Sequence, residues 1–325
     1  MSKPLSLAVV LIGRNEGSRL QRCLASVPPA VSRVVYVDSG STDGSVQAAM
    51  EASAEVVRLD TTQPFTAARA RNAGYAALGS GANIAFVQFI DGDCEIQPGW
   101  VEAAHEFLQQ TPKAAVVCGR RRERFPEASV YNRLCDDEWD TPIGRAKACG
   151  GDAMMRCLAF DAVEGFDPTL IAGEEPELCL RLRKAGWDIW RIDHEMTLHD
   201  ADMTRLGQWW QRARRSGYAS AEGAAIHGAL PERHGVAPTR RALLWGAVLP
   251  LLTVASALIS PWALLLLLIY PVQVIRLALR EGPLQPEAWE QAFFLTLGKF
   301  PEAIGALQYG WRRLMRRQAT LIEYK

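Results

Sequence analysis

Asp91 and Asp93 stand either side of a single glycine, where an apolar run from Ile84 to Ile90 breaks off. Two carboxylates so placed can hold a divalent cation. Hard oxygen ligands suit Mg²⁺ or Mn²⁺, and those ions are commonly shared with substrate phosphates. The glycine between them lets the chain pass close to a nucleotide. Asp-Gly is also a common turn dipeptide, and the spacing alone serves both readings.

Other polar clusters follow apolar runs in the same way. VVYVDSGSTDGSV (34–46) places Asp38 and Ser39 at the end of a second run, with Ser41 or Thr42 available to cap the next helix. A carboxylate at Asp38 can accept from a ring N–H of the kind uracil N3 offers. Asn15 and Glu16 follow the first run. TAARARNAGYAAL (66–78) carries Arg69 and Asn72 three apart on one helical face, a pattern that an ordinary surface helix also shows.

The elements that must position these groups alternate. Strands are expected at Leu7–Ile12, Val34–Val37, Val56–Leu59, Ile84–Ile90 and Ala114–Cys118. Helices are expected at Glu16–Val27, Asp43–Ala52, Thr66–Leu78 and Pro98–Gln110. Such alternation predicts an α/β fold with a mostly parallel sheet and helices on both faces. Ligands in such sheets bind beyond the carboxyl ends of the strands, where the polar clusters fall.

Net charge is zero, but unevenly spread. Residues 1–203 hold 21 basic and 29 acidic side chains; 204–241 hold seven Arg against two Glu; 299–325 hold six basic against two acidic. The acidic part reads as a catalytic body, and the basic parts as a surface facing anionic lipid. Between the basic parts, Ala242–Ile275 runs 34 residues without a charge. That is long for one membrane span of roughly 20 residues and tight for two. Ser260-Pro261 offers a turn near its middle, and Arg240, Arg241, Arg276 and Arg280 flank it. The positive-inside rule then predicts a transmembrane hairpin, or a re-entrant segment, with both ends cytoplasmic. The N-terminus shows no cleavage site after its short apolar run, so no leader is expected. Seven scattered cysteines without a CxxC pair fit reduced cytosolic thiols. Arg120-Arg121-Arg122 is expected to be a solvated strand end. No aromatic platform accompanies it, so no nucleic-acid partner is expected.

LIGRNEGSRLQRCLASV, VDSGSTDGS, ARARNAG and FIDGDCEIQPGW, in this order and spacing, resemble the nucleotide-binding half of family 2 glycosyltransferases, inverting enzymes of the Rossmann-like GT-A fold. The resemblance continues through CGGDAMMR (149–156), FDPTLIAGEEPELCLRLRKAGW (166–187) and TLHD (197–200), and covers roughly residues 5–225. It implies a nucleotide-sugar donor held by Asn15, Glu16, Asp38, Ser39, Arg69, Asn72, Asp91 and Asp93. Asp38 would read the base and Asp91 would lie near the ribose. Asp93, with Asp91 and His199, would hold Mg²⁺ or Mn²⁺ on the diphosphate. Gly150, Gly151 and Asp152 would form an acceptor-side loop, though a plain tight turn fits the same residues.

Direct displacement also needs a general base for the acceptor hydroxyl. The family usually shows Glu-Asp where this chain has Glu174-Glu175, so Glu175 is the expected base and Glu174 its alternative. Simple complementarity to a helix dipole also accounts for three acids at one end of that helix and three bases at the other. Processive synthases carry Gln-x-x-Arg-Trp near residue 211. Here Gln211 and Arg214 are followed by Arg215, and an amphipathic helix at the membrane interface explains 205–223.

The expected arrangement is a catalytic domain over 1–230 (donor half 1–120, acceptor half 121–230), a linker and hairpin over 231–285, and a basic helical segment over 286–325. The expected activity is metal-assisted inverting transfer from a UDP-sugar to a glycan or lipid-linked acceptor, at the cytoplasmic face of the inner membrane. A polyprenyl-phosphate glycosyltransferase and a non-catalytic sugar-binding scaffold are the alternatives.

Overall fold

The computed structural model describes residues 6–79 and 83–316. Residues 1–5 of the expected catalytic domain and 317–325 of the expected basic segment lie outside the described residues. The chain divides into two compact units, Met1–Asp202 and Met203–Lys325.

The first unit is built on β1 (Leu7–Gly13), β2 (Arg33–Asp38), β3 (Glu55–Arg58), β4 (Phe86–Asp91), β5 (Cys94–Ile96), β6 (Ala114–Glu123), β7 (Gly144–Ala146), β8 (Ala153–Arg156) and β9 (Asp188–His199). Between them come α1 (Ser18–Ala25), α2 (Ser45–Glu51), α3 (Ala67–Ala77), α4 (Trp100–Gln110), α5 (Val130–Trp139), α6 (Cys157–Ala162) and α7 (Glu174–Lys184). Among the described residues the strands form one sheet in the order β3-β2-β1-β4-β8-β6-β9-β5, with β7 on β9. The five expected strands all form. Leu7–Leu11 are wholly buried, as the continuous apolar run requires at the sheet's interior.

The sheet is mixed rather than mostly parallel. β3, β2, β1 and β4 run parallel, and so do β6 and β9, but β8 is antiparallel to both β4 and β6. β5 and β7 are antiparallel to β9. The anchoring of Asp152 fixes the direction of β8. Its carboxylate accepts from the Asp91 backbone N–H at 3.0 Å, so β8 must begin where β4 ends.

In the second unit α8 (Leu206–His227) lies against the C-terminal helix, with α9 (Val236–Leu243), α10 (Leu249–Ala257), α11 (Ile269–Glu281), α12 (Pro286–Leu297) and α13 (Lys299–Leu314) completing it. A π-helical turn at Leu244–Val248 joins α9 to α10, and a 3₁₀ stretch at Pro261–Leu268 leads into α11. The α8–α13 crossing is close. A methyl group at Gly217 would overlap the Glu302 backbone, and one at Gly305 the Arg214 backbone. Tyr218 meets Tyr309 at 5.4 Å between ring centroids and Trp209 meets Phe294 at 5.0 Å. These contacts place α8 with the C-terminal helices, so the first unit ends near residue 202, not at the expected 230. Within the apolar region one helix, Pro261–Glu281, is long and apolar enough among the described residues to cross a membrane. Its partner run over 236–257 is separated from it by Leu258-Ile259-Ser260, where Ile259 is 90% exposed.

Candidate active site

Two strand ends and the turn after one of them supply the carboxylates. β2 ends at Asp38, β4 at Asp91, and Asp93 follows one residue beyond the glycine. β9 delivers His199 to the same end of the sheet by pairing with β5, where Cys94 sits opposite His199. The His199 Nε2 then lies 3.4 Å from Asp93 Oδ1, and both side chains are buried. His199 Nδ1 faces the Glu123 carboxylate at 3.7 Å and makes no hydrogen bond. Glu123 is itself held by the N–H groups of Phe125 and Ala201 and by the Asn132 amide. Trp139 closes edge-on over His199 at 4.7 Å.

The residues fit a hard divalent cation. Neighbouring ligands of an octahedral ion with 2.1 Å bonds are about 3 Å apart, near the Asp93–His199 separation. The carboxylate behind His199 is the usual second-layer support for a ligating imidazole. Cys94 also stands within reach. Burial and the surrounding carboxylates hold its thiol well above the ordinary range, so it is a poor ligand for Mg²⁺ or Mn²⁺.

Asp91 is placed differently from the metal-ligand expectation. Its carboxylate is paired with Arg71 at 2.7 Å and Arg121 at 3.3 Å. Arg71 reaches on to Glu174 at 2.8 Å, and Arg121 to the fully buried Asp152 at 2.7 Å. Three acids, Glu174, Asp91 and Asp152, thus alternate with two guanidiniums. Burial works against the charge on each arginine, but the carboxylates more than offset it and raise both above their usual range. A side chain at Gly151 would crowd this cluster. A Cβ there would come 3.0 Å from Arg71 Nη2 and 3.1 Å from Asp91 Oδ2. Replacing Arg71 with Met should cost about 3 kcal/mol in urea unfolding, because it takes the guanidinium from Glu174 and leaves Asp91 with Arg121 alone. A loss under 0.5 kcal/mol would show that the network carries little stability.

Several expected site residues make hydrogen bonds or ion pairs within the protein. Arg69 donates to the backbone carbonyls of Asp60, Gln63 and Pro64 and so ties down one loop. Asn72 exchanges two hydrogen bonds with the Phe166 backbone. Asp152 is not on an open acceptor face: it accepts from Thr197 and pairs with Arg121 in the interior. Gly150 adopts the left-handed region, φ 80°, at the turn before it. Asp38 is buried and accepts from the N–H groups of Gly40 and Ser41, so it shapes the loop after β2. Asn15 fastens that loop to the first by bonding Ser41 and Thr42. Glu16 pairs with Arg19 at 2.9 Å. Ser39 is buried with its hydroxyl lacking a protein partner.

The expected pair at the start of α7 divides. Glu174 faces Arg71, whereas Glu175 turns inward. One Glu175 oxygen accepts from the Cys149 backbone N–H and from the Cys179 thiol. Burial raises its pKa above the usual carboxylate range. Arg121 corrects the reading of 120–122 as a solvated strand end. Arg120 pairs with Asp136, Arg121 enters the site, and only Arg122 is exposed. Strand alternation alone separates Arg121 from its neighbours and could have found it. Arg71, Glu123 and Trp139 were missed outright. Arg71 lies two residues past Arg69 on a helix, on a face that the chosen spacing passed over.

Residues 8–147 match the family model described as glycosyl transferase family 2. The succinoglycan biosynthesis protein ExoA of Rhizobium meliloti is 26% identical over 274 residues, covering 79% of this chain and 82% of that protein. The N-acetylglucosaminyl-diphospho-decaprenol L-rhamnosyltransferase of Mycobacterium tuberculosis is 28% identical over 239 residues, 61% of this chain and 77% of that protein. Among solved structures, a mannosyltransferase from Pyrobaculum calidifontis in complex with GDP-Man and Mn²⁺ superposes with a TM-score of 0.60, at 16% identity, over 96% of this chain and 89% of that one. That likeness is one of fold, and its mixed sheet with flanking helices is GT-A. Residues 8–147 thus carry the similarity to glycosyl transferase family 2, and the chain is a glycosyltransferase.

Proposed function

We propose that the chain transfers a sugar from a nucleotide-sugar, UDP-linked, to a glycan or lipid-linked acceptor with inversion and with Mg²⁺ or Mn²⁺ bound. The observation that carries this reading is the meeting of Asp93, from the turn after β4, with His199, at the end of β9, beside the Asp91–Arg71–Glu174 network. Asp93 and His199 would hold the cation, whose chemistry when bound would be to offset charge on the departing nucleoside diphosphate. Asp38, Ser39, Asn15 and Glu16 shape the pocket for the base and ribose. The unpartnered Ser39 hydroxyl supports a ligand there. Arg71 and Arg121 keep Asp91 oriented, and Glu175 accepts the acceptor's proton. The names of the two relatives favour a product of envelope or exported polysaccharide assembly. A screen of UDP-, GDP- and TDP-sugars, read as nucleoside diphosphate release, tests the donor. Release from GDP- or TDP-sugars in preference to UDP-sugars would refute the uracil assignment.

The second unit serves as the membrane anchor in this reading, with residues 242–275 crossing and returning. The exposed Leu251, Leu258, Ile259 and Trp262 and the flanking arginines support it. Topology reporters fused after Arg241 and at Lys325 should both read cytoplasmic. A periplasmic signal at Lys325 would leave a single crossing.

One observation favours the polyprenyl-phosphate alternative: Glu175 is buried 7% exposed between two thiols, and Glu174 is paired with Arg71. An acceptor arriving as a phosphate anion needs no base, and the substitution series at this pair, argued below, separates the two.

A further inference from the structure

Seven free cysteines are present, and two of them meet the expected base. Cys149 Sγ and Cys179 Sγ are 3.6 Å apart, and Cys179 Sγ is 3.0 Å from Glu175 Oε1. The three donors come from two separate segments, the loop before Gly150-Gly151 and the first two turns of α7. All three are buried, with Cys149 and Glu175 at 8% and 7% exposure and Cys179 at none.

The spacing is that of a soft-metal site. Two thiolates on a tetrahedral ion with 2.3 Å bonds stand about 3.8 Å apart. Two sulfurs and one carboxylate oxygen give three ligands, and water completes the fourth position. Thiolate donors select Zn²⁺ or its heavier analogue Cd²⁺ over the hard Mg²⁺ and Mn²⁺. In the absence of metal the pair rests as thiols. Their mutual hydrogen bond lowers the Cys179 pKa, but burial and the Glu175 carboxylate outweigh it and leave it at about 11. Burial raises Cys149 well above its ordinary range.

We propose that Cys149, Glu175 and Cys179 form an inhibitory site for a soft divalent cation, distinct from the hard-cation site at Asp93 and His199. Each thiol gives its proton to solvent as the ion binds, two protons per ion, with no change of oxidation state. The ion takes the Glu175 carboxylate as a ligand, so the acceptor hydroxyl loses its base. The inhibition rests on the assignment of Glu175 above; the binding does not.

Titrating Cd²⁺ into the full-length protein, followed by the ultraviolet sulfur-to-metal charge-transfer band, tests it. The band should saturate at one ion per chain, persist in Cys94→Ser and Cys157→Ser, and disappear in Cys149→Ser and in Cys179→Ser. Two protons should be released per ion in weakly buffered solution. Zn²⁺ should inhibit transfer assayed with Mn²⁺, and Cys149→Ser should raise the half-inhibiting concentration at least tenfold. A band that survives Cys149→Ser, or vanishes in Cys94→Ser, overturns the site by placing the ion at Cys94. No band in the wild type, with the two thiols instead cross-linking under mild oxidation, also overturns it. A normal band with undiminished transfer overturns the inhibition. Should Glu175→Gln then also turn over normally, it is the base assignment that has failed.

Discussion

Asp93→Asn should abolish the Mn²⁺ dependence of UDP binding and lower transfer at least 10²-fold. The amide keeps the size of the side chain but loses the charge that a hard cation requires. His199 then stands alone on the ion, and an imidazole without a carboxylate partner suits Zn²⁺ better than Mg²⁺ or Mn²⁺. Calorimetry of UDP with and without Mn²⁺, beside a transfer assay, measures both effects. Metal-enhanced UDP binding that survives in Asp93→Asn would remove Asp93 from the metal site. Asp91→Asn should behave differently. It breaks two ion pairs, so its first effect is on stability, with donor binding affected through the displaced arginines.

Glu175→Gln should leave donor and metal binding nearly unchanged while transfer falls about 10²–10⁴-fold, the usual worth of a positioned general base. Its pH profile carries further information. Burial raises the folded-state pKa of Glu175, so the carboxylate is formed only as pH climbs above the ordinary range. The rate should therefore rise with pH through that raised pKa, and the rising limb should vanish in the variant. The same shift has a sign for stability. A carboxyl whose pKa is higher in the folded state contributes stability at low pH, which is lost as pH rises from the unfolded value through the folded one. Glu174→Gln is the contrast. It cuts the Arg71 pair and should cost stability and donor affinity more than turnover. Near-normal turnover in Glu175→Gln with a collapse in Glu174→Gln would move the base to Glu174. If neither matters, the acceptor arrives ionised and the polyprenyl-phosphate reading takes the lead.

The strands of the donor half were legible because each is a short, continuous apolar run bounded by polar residues. Burial on both faces leaves that pattern in any parallel sheet. β8 was not legible. AMMR is four residues long, without alternation, and the buried carboxylate of the preceding residue, Asp152, sets its direction through a bond to the adjacent β4. The loop carboxylates Asp38, Asp91 and Asp93 were legible as a set through their recurrence at strand ends. Their partners were not, because Arg71, Arg121 and Glu123 are brought in by tertiary packing from a helix face and from alternate positions of one strand. Arg69 and Asn72 show the converse. Helical spacing correctly put them on one face, but backbone carbonyls and amides of adjacent loops claim that face. The boundary of the first unit was misplaced because the motif at residue 211 was read by its neighbours in sequence, while α8 finds its partner some ninety residues later in α13.

The mutual glycines of that α8–α13 crossing bear on the solvent the second unit can occupy. Gly217 and Gly305 each bring a backbone into the partner helix, so steric fit and dispersion hold the crossing as much as the expulsion of water from leucine side chains. Helices associate in hydrocarbon by the same means, since lipid tails are as apolar as leucine and supply no hydrophobic drive. A seam of this kind keeps its attraction at the headgroup boundary, where one flank of a helix meets water and the other meets acyl chains.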